Sequence, residues 1–154
     1  MTTTQRAAAA RPQIRAQRQT TRPTMIAGYA STFGVAVNGQ YVIAPGAFDR
    51  LLERGFSPRM LLEHEGEPVG EWLKIIADQT GLFVVGRVDA AAAIERIEAG
   101  DIGLSLGRKV GLRKMIEGGI SLCPQVLDVG EISIVSEPGD PLALITEFAI
   151  GAGQ

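Results

Sequence analysis

The pentapeptide Gly103-Leu104-Ser105-Leu106-Gly107 holds the sharpest chemical content of the 154-residue chain. It fits G-x-S-x-G, the pattern that presents a nucleophilic serine on a strand-to-helix elbow in α/β-hydrolases. That fold needs its histidine after the serine, and here the single histidine, His64, precedes it. Arg108 to Leu112 also reads on as strand rather than as a helix, so the elbow fails on chain order and on local structure. The pentapeptide is better read as a strand in which Ser105 projects from one face and Leu104 and Leu106 from the other. Gly103 and Gly107 are then its same-face neighbours. Their missing side chains either leave the hydroxyl open to a closely approaching substrate backbone or mark a bulge around an inert serine.

A serine hydroxyl attacks at neutral pH only with a base beside it, a task suited to a neutral imidazole. His64 is the one imidazole available. It lies in Leu61-Leu62-Glu63-His64-Glu65-Gly66-Glu67-Pro68, where an apolar strand gives way to an acidic turn that holds the ring at an edge. A surface histidine with no chemistry is the competing reading. A metal site on Glu63, His64, Glu65 and Glu67 matches no ligand-spacing motif. An acid that orients the imidazole would complete the set, and Glu131 stands out because it interrupts the β-branched run Val129-Gly130-Glu131-Ile132-Ser133-Ile134-Val135. Alternation puts Ile132 and Ile134 in the core and Glu131, Ser133 and Val135 on the opposite face. An edge strand keeping a charge outward would give the same pattern.

Composition narrows the alternatives. One cysteine excludes an intrachain disulfide, and with one histidine it excludes zinc sites built mainly from Cys and His. Cys123, in Leu122-Cys123-Pro124, is a rival nucleophile on paper and a small buried hydrophobe by type. No apolar run approaches the ~20 residues that span a bilayer, so the expectation is a soluble protein without membrane contact in a reducing compartment. Residues 1–23 hold five arginines and no acid, whereas the remainder holds ten basic and seventeen acidic residues. This Thr/Gln/Arg-rich arm has too few large apolar residues to offset its ordering entropy and reads as disordered. A solvated tail is favoured over a docking arm or a removable propeptide. The folded part is expected over residues 24–150, with 151–154 as a tail.

The elements that must carry these residues are short and divided by turn signals. Strands are expected at Met25–Ala30, Arg59–Glu63, Val69–Ala77, Leu82–Val88, Gly103–Leu112, Ile120–Leu122, Val126–Val135 and Leu142–Phe148. Asn38-Gly39 marks a hairpin between Phe33–Val37 and Tyr41–Ile43. Helices are expected at Ala47–Arg54, stopped by Gly55, and at Ala90–Ala99, stopped by Gly100. Many strands at close spacing with two short helices predict a mainly β, α+β fold, a mostly antiparallel sheet or barrel.

Several of these segments, in this order, carry a resemblance: Gly28-Tyr29-Ala30-Ser31; Ile43-Ala44-Pro45-Gly46-Ala47-Phe48; Leu62-Glu63-His64-Glu65 with Pro68-Val69-Gly70; Gly103-Leu104-Ser105-Leu106-Gly107; and Gly130-Glu131-Ile132-Ser133-Ile134-Val135 with Pro138. The chain from about Gly28 to Pro141 resembles the prohead maturation proteases of tailed bacteriophages. That family is similar in fold to the herpesvirus assembly proteases, a mainly β barrel whose site pairs a serine with a histidine. The resemblance implies Ser105 as nucleophile, His64 as base and Glu131 as third member, where the herpesvirus enzymes use a second histidine that this chain lacks. It also implies a serine endopeptidase that needs no cofactor and acts in the bacterial host cytoplasm, inside the assembling prohead. Its substrates would be the scaffold region of the capsid protein, or a separate scaffold protein, and itself. Self-association is open, and no specific nucleic-acid partner is expected. A catalytically silent β-barrel module of capsid assembly is the alternative. Two departures stand out: Pro138-Gly139-Asp140-Pro141 replaces the family's Pro-Ala-Asn-Pro, and Arg108-Lys109, read as solvated strand residues, replaces an apolar residue.

Overall fold

The computed structural model describes residues 23–100 and 102–150, so the basic arm up to residue 22 and the tail 151–154 lie outside the described residues. Within them the strands are β1 (Thr24–Thr32), β2 (Tyr41–Ile43), β3 (Met60–Leu62), β4 (Glu65–Ala77), β5 (Gly81–Val88), β6 (Gly103–Gly111), β7 (Lys114–Met115), β8 (Ser121–Cys123), β9 (Val126–Val135) and β10 (Ile145–Ile150). Two short helices, α1 (Asp49–Arg54) and α2 (Ala91–Ala99), lie between them. None of the described helices is long and apolar enough to cross a membrane.

Seven strands form one sheet in the order β10-β1-β5-β4-β3-β9-β6, and β2-β8-β7 form a second. The expected β content is present, but the sheets are mixed rather than simply antiparallel. β3 runs parallel to β9, and β2 parallel to β8. Each of these pairs joins strands far apart in sequence, and such long connections permit parallel pairing where a tight hairpin cannot. The large sheet curls until its ends approach: Gly103 on β6 bridges Leu144, and Leu104 N–H donates to Ala143 O at 2.7 Å, just before β10 begins. The result is a half-barrel. Ile26, Val84, Leu104, Ile132 and Ile134 fill its inside, closed by Phe48 and Leu51 beside and on α1 and by Ala93 and Ile97 from α2.

Several boundaries shift for local reasons. Asn38 and Gly39 adopt the positive φ of a tight turn (52° and 68°), but Phe33–Val37 is not a strand. Gly34 breaks its extension at φ 76°, leaving a single bridge from Val37 to Tyr41. α1 starts two residues later than expected, because Ala44–Asp49 first forms turns in which Ala47 N–H reaches Ala44 O at 3.1 Å. β10 starts at Ile145 rather than Leu142, since Asp140 holds Leu142 N–H at 2.9 Å in a turn. β4 begins at Glu65, which shrinks the acidic turn to two residues, Glu63 and His64. That change matters most for the site.

Candidate active site

His64 is presented by a strained turn. Leu62 pairs with Glu65 across the β3–β4 hairpin, so Glu63 and His64 are its two loop residues, both at positive φ (52° and 66°). Two positive φ values are the signature of a type I′ turn, which favours Asn-Gly because side chains raise the cost of that conformation. Here the turn is held from outside. Glu63 accepts Arg96 Nη2 from α2 at 2.5 Å and Ser136 N–H at 2.9 Å, while its own N–H donates to Ile134 O at 2.8 Å. The Arg96 hydrogen bond holds the Glu63 carboxyl below its ordinary pKa, against the opposing effect of partial burial and with help from Ser136. Helix α2 thus acts as a strut for the turn that aims His64.

The turn carries the imidazole onto the outer face of β9. His64 Nδ1 lies 2.8 Å from Glu131 Oε1, and the Ser133 hydroxyl bonds to the same oxygen. Arg108 Nε stands 3.9 Å from the other carboxylate oxygen. Glu131 is only 3% exposed and Ser133 is fully buried. This corrects the picture of a charge kept outward on an edge strand: β9 is an interior strand between β3 and β6, and its outer face is covered at Glu131. A buried carboxylate is retained only where hydrogen bonds replace its hydration. Ser133 and His64 supply them.

Ser105 comes to the same face by register. On β6, Ser105 is directly opposite Ser133 and Gly107 directly opposite Glu131, while Leu104 turns into the core and Leu106 packs against it. Ser105 and His64 line one cavity of ≈ 210 Å³, with Ser31, Tyr41, Lys109 and Asp140 among its other walls. Nδ1 is committed to Glu131, which leaves Nε2 as the ring nitrogen available to a hydroxyl. Among the described residues His64 hydrogen-bonds only to Glu131. A hydrogen bond between catalytic serine and histidine is often made only once substrate is bound.

The glycines flanking Ser105 serve a different purpose from the one their type suggested. A Cβ on Gly103 would stand 2.4 Å from Ala143 O, and one on Gly107 would stand 2.5 Å from Glu131 Cγ and Cδ. The space over them is filled by the protein's own chain and by the carboxylate, so they shape the site rather than admit a substrate backbone. Gly107→Ala is therefore expected to push Glu131 off His64. We expect kcat/KM to fall about 10–100-fold, as when a supporting partner is displaced, with the melting transition still cooperative. Peptide cleavage and thermal denaturation measured on the one variant check both halves.

The remaining candidates separate clearly. Cys123 is buried, bonds to Gln125 O at 3.4 Å and is absent from the cavity walls, as a small core residue would be. Arg108 is exposed as expected, but Lys109 is not a solvated strand residue: it is half-buried against Tyr41 and lines the cavity. No group of three or more His, Cys, Asp or Glu side chains among the described residues is placed to hold a metal ion. Ser133 was visible in the pattern as a same-face neighbour of Glu131, yet only the fold shows that the two are bonded. Arg96 carried no signal at all, since nothing in an Ala-rich helix announces which turn it will meet.

The model of the caudovirus prohead serine protease family matches residues 12–149. No curated protein sequence matches the chain. Among solved structures, the varicella-zoster virus protease is similar at 15% identity and a TM-score of 0.53, over 84% of this chain and 64% of that one. A KSHV protease solved in complex with a hexapeptide phosphonate inhibitor matches at 12% identity and a TM-score of 0.49, over 84% of this chain and 65% of that one. The chain thus spans a little under two thirds of the length of these viral proteases, and the first of them shares its fold. With a family match across nearly all of its length, and the expected fold beneath it, the chain belongs to the caudovirus prohead serine proteases.

Proposed function

We propose that the protein is a serine endopeptidase of phage capsid maturation that works through Ser105, His64 and Glu131. The observation that carries this reading is the His64–Glu131 hydrogen bond of 2.8 Å at the wall of the cavity that Ser105 also lines. His64 takes the Ser105 proton on Nε2 as the hydroxyl attacks a peptide carbonyl. Glu131 accepts from Nδ1–H, fixing the tautomer and stabilising the imidazolium that forms. Backbone N–H groups around the cavity receive the oxyanion. The leaving amine takes its proton from His64, and water then hydrolyses the acyl-enzyme on Ser105.

Residues 24–150 form the protease domain in this reading, with residues 1–23 as a basic arm and 151–154 as a tail. The enzyme acts inside the assembling prohead in the bacterial host cytoplasm. It cleaves the scaffold region of the capsid protein or a separate scaffold protein, and also itself. The family match supports this setting. A fluorophosphonate probe offers the direct test: the full chain is expected to take up one label, mapped by peptide mass spectrometry to Ser105. A label on Cys123, or no label on folded protein, would favour a silent assembly module instead.

A further inference from the structure

We propose that Lys109, Arg113 and Tyr41 form a subsite that selects an acidic side chain of the substrate next to Ser105; this rests on the peptidase reading above. Lys109 Nζ lies 3.7 Å from the centre of the Tyr41 ring and bonds to its hydroxyl, and Arg113 Cζ lies 4.0 Å from the same centre. Two cations on one ring gain from its quadrupole but repel one another. Among the described residues neither is paired with a carboxylate, although Arg54, Arg87 and Arg96 elsewhere each are. Tyr41 is buried and Lys109 half-buried against it, whereas Arg113 is exposed and reaches the ring from outside the cavity wall.

The subsite opens on the catalytic cavity. Tyr41 and Lys109 line it together with Ser105 and His64. Its ≈ 210 Å³ falls below the ~300–1,000 Å³ typical of sites for drug-sized ligands and suits a single side chain. Of the acids in its wall, Asp140 is already committed to Thr32 and to Leu142 N–H, while Glu137 is exposed and bonds to neither cation. Ser31 is also in the wall, but its Oγ is closed off from solvent and has no hydrogen-bond partner among the described residues. An entering carboxylate would meet Lys109 as an ionised donor and supply the counter-charge that it lacks.

Lys109 also sets a pH signature. Burial, with Arg113 adding to it and Cys123 opposing, brings its pKa down to about 8. The groups facing it are Tyr41 from β2, Arg113 beyond β6 and Cys123 from β8, with His64, Glu137 and Asp140 around the cavity. The cation is present below that pKa and lost above it, so preference for an acidic side chain should weaken as pH rises through about 8.

The test uses the full chain and a peptide library made by digesting a bacterial proteome, with cleavage sites read by mass spectrometry. Asp or Glu should be enriched at one position within a few residues of the scissile bond. Matched peptides with Glu or Gln at that position should then differ about 10–100-fold in kcat/KM at pH 7, the range of one charge-assisted bond. The ratio should shrink at pH 9 and in Lys109→Met, where Arg113 alone stays charged, and be largely restored in Lys109→Arg. Arg113→Met gives the same readout should Lys109→Met fail to fold. Cleavage without acidic enrichment, or with a Glu/Gln ratio that these variants leave unchanged, overturns the subsite and leaves the peptidase standing. No cleavage of any peptide by folded enzyme that also resists the fluorophosphonate overturns both.

Discussion

Ser105→Ala is expected to abolish processing of the capsid precursor co-expressed with it, with kcat/KM on peptides falling roughly 10⁴–10⁶-fold. The size of the effect follows from the chemistry. Without a nucleophile the acyl-enzyme cannot form, and only uniform binding and polarisation of the carbonyl remain. The folding side should be close to silent. Ser105 is partly exposed, its hydroxyl makes no hydrogen bond among the described residues, and it stands on a strand whose neighbouring positions do the packing. Removing one such oxygen should alter stability by no more than ~0.5 kcal/mol. An unchanged melting temperature beside an inactive enzyme is thus the expected pair of results. His64→Ala should match it in activity, and the double variant should be little worse than either single one, because residues that act as a unit are not additive. Continued precursor processing by both single variants would exclude the serine peptidase mechanism.

How much of this was legible before any fold was known depends on the reach of each interaction. Strand alternation is local, so Ile132 and Ile134 were placed in the core and Glu131 and Ser133 on the other face from β9 alone. What covers that other face is not local. Glu131 stands out as a candidate orienting acid, but a solvent-facing edge charge fits the pattern equally, because nothing in residues 126–135 announces that β3 will pair parallel to β9 and deliver His64 there. Gly107 shows the same limit: its type signals a close approach, but the fold alone identifies the approaching group as Glu131. The acidic turn after β3 is shorter than its sequence suggests, because Glu63 and His64 are poor formers of a two-residue turn. Its conformation is imposed by Arg96 and Ser136, which lie 33 and 73 residues away. Lys109 looked like a solvated cation for an equivalent reason, since Tyr41, which shields it, lies 68 positions away. The parts that sequence left dark are those made by contacts between distant strands, and the geometry of the candidate site is made of the same contacts.

Glu131→Ala and Glu131→Gln should separate two contributions that a single deletion would merge. Both hydrogen bonds to the carboxylate, from His64 Nδ1 and from the Ser133 hydroxyl, converge on Oε1, while Oε2 faces Arg108 at 3.9 Å. Alanine removes the shared acceptor, frees the ring to rotate and empties the space above Gly107. We expect about a 10³–10⁴-fold loss of kcat, comparable to losing the orienting acid of a Ser-His-Asp triad. Glutamine has a choice. With its oxygen in the Oε1 position it keeps both donors satisfied and holds the tautomer that leaves Nε2 free, at the expense of pointing its amide at Arg108. With its amide there instead, Nδ1 must accept and Nε2 must carry the proton, which disables the base. The first arrangement should prevail, because Arg108 has 74% of its side chain exposed and can turn into water, whereas Ser133 is fully buried. Glu131→Gln should therefore lose only the charge that stabilises the imidazolium, about 10–100-fold in kcat. Its melting temperature should equal or exceed that of the parent, since a side chain only 3% exposed no longer has to be buried as an ion. A Gln variant as inactive as the Ala variant would mean that the amide has flipped. Parent-level kcat in both would remove Glu131 from the mechanism and leave a Ser105–His64 dyad.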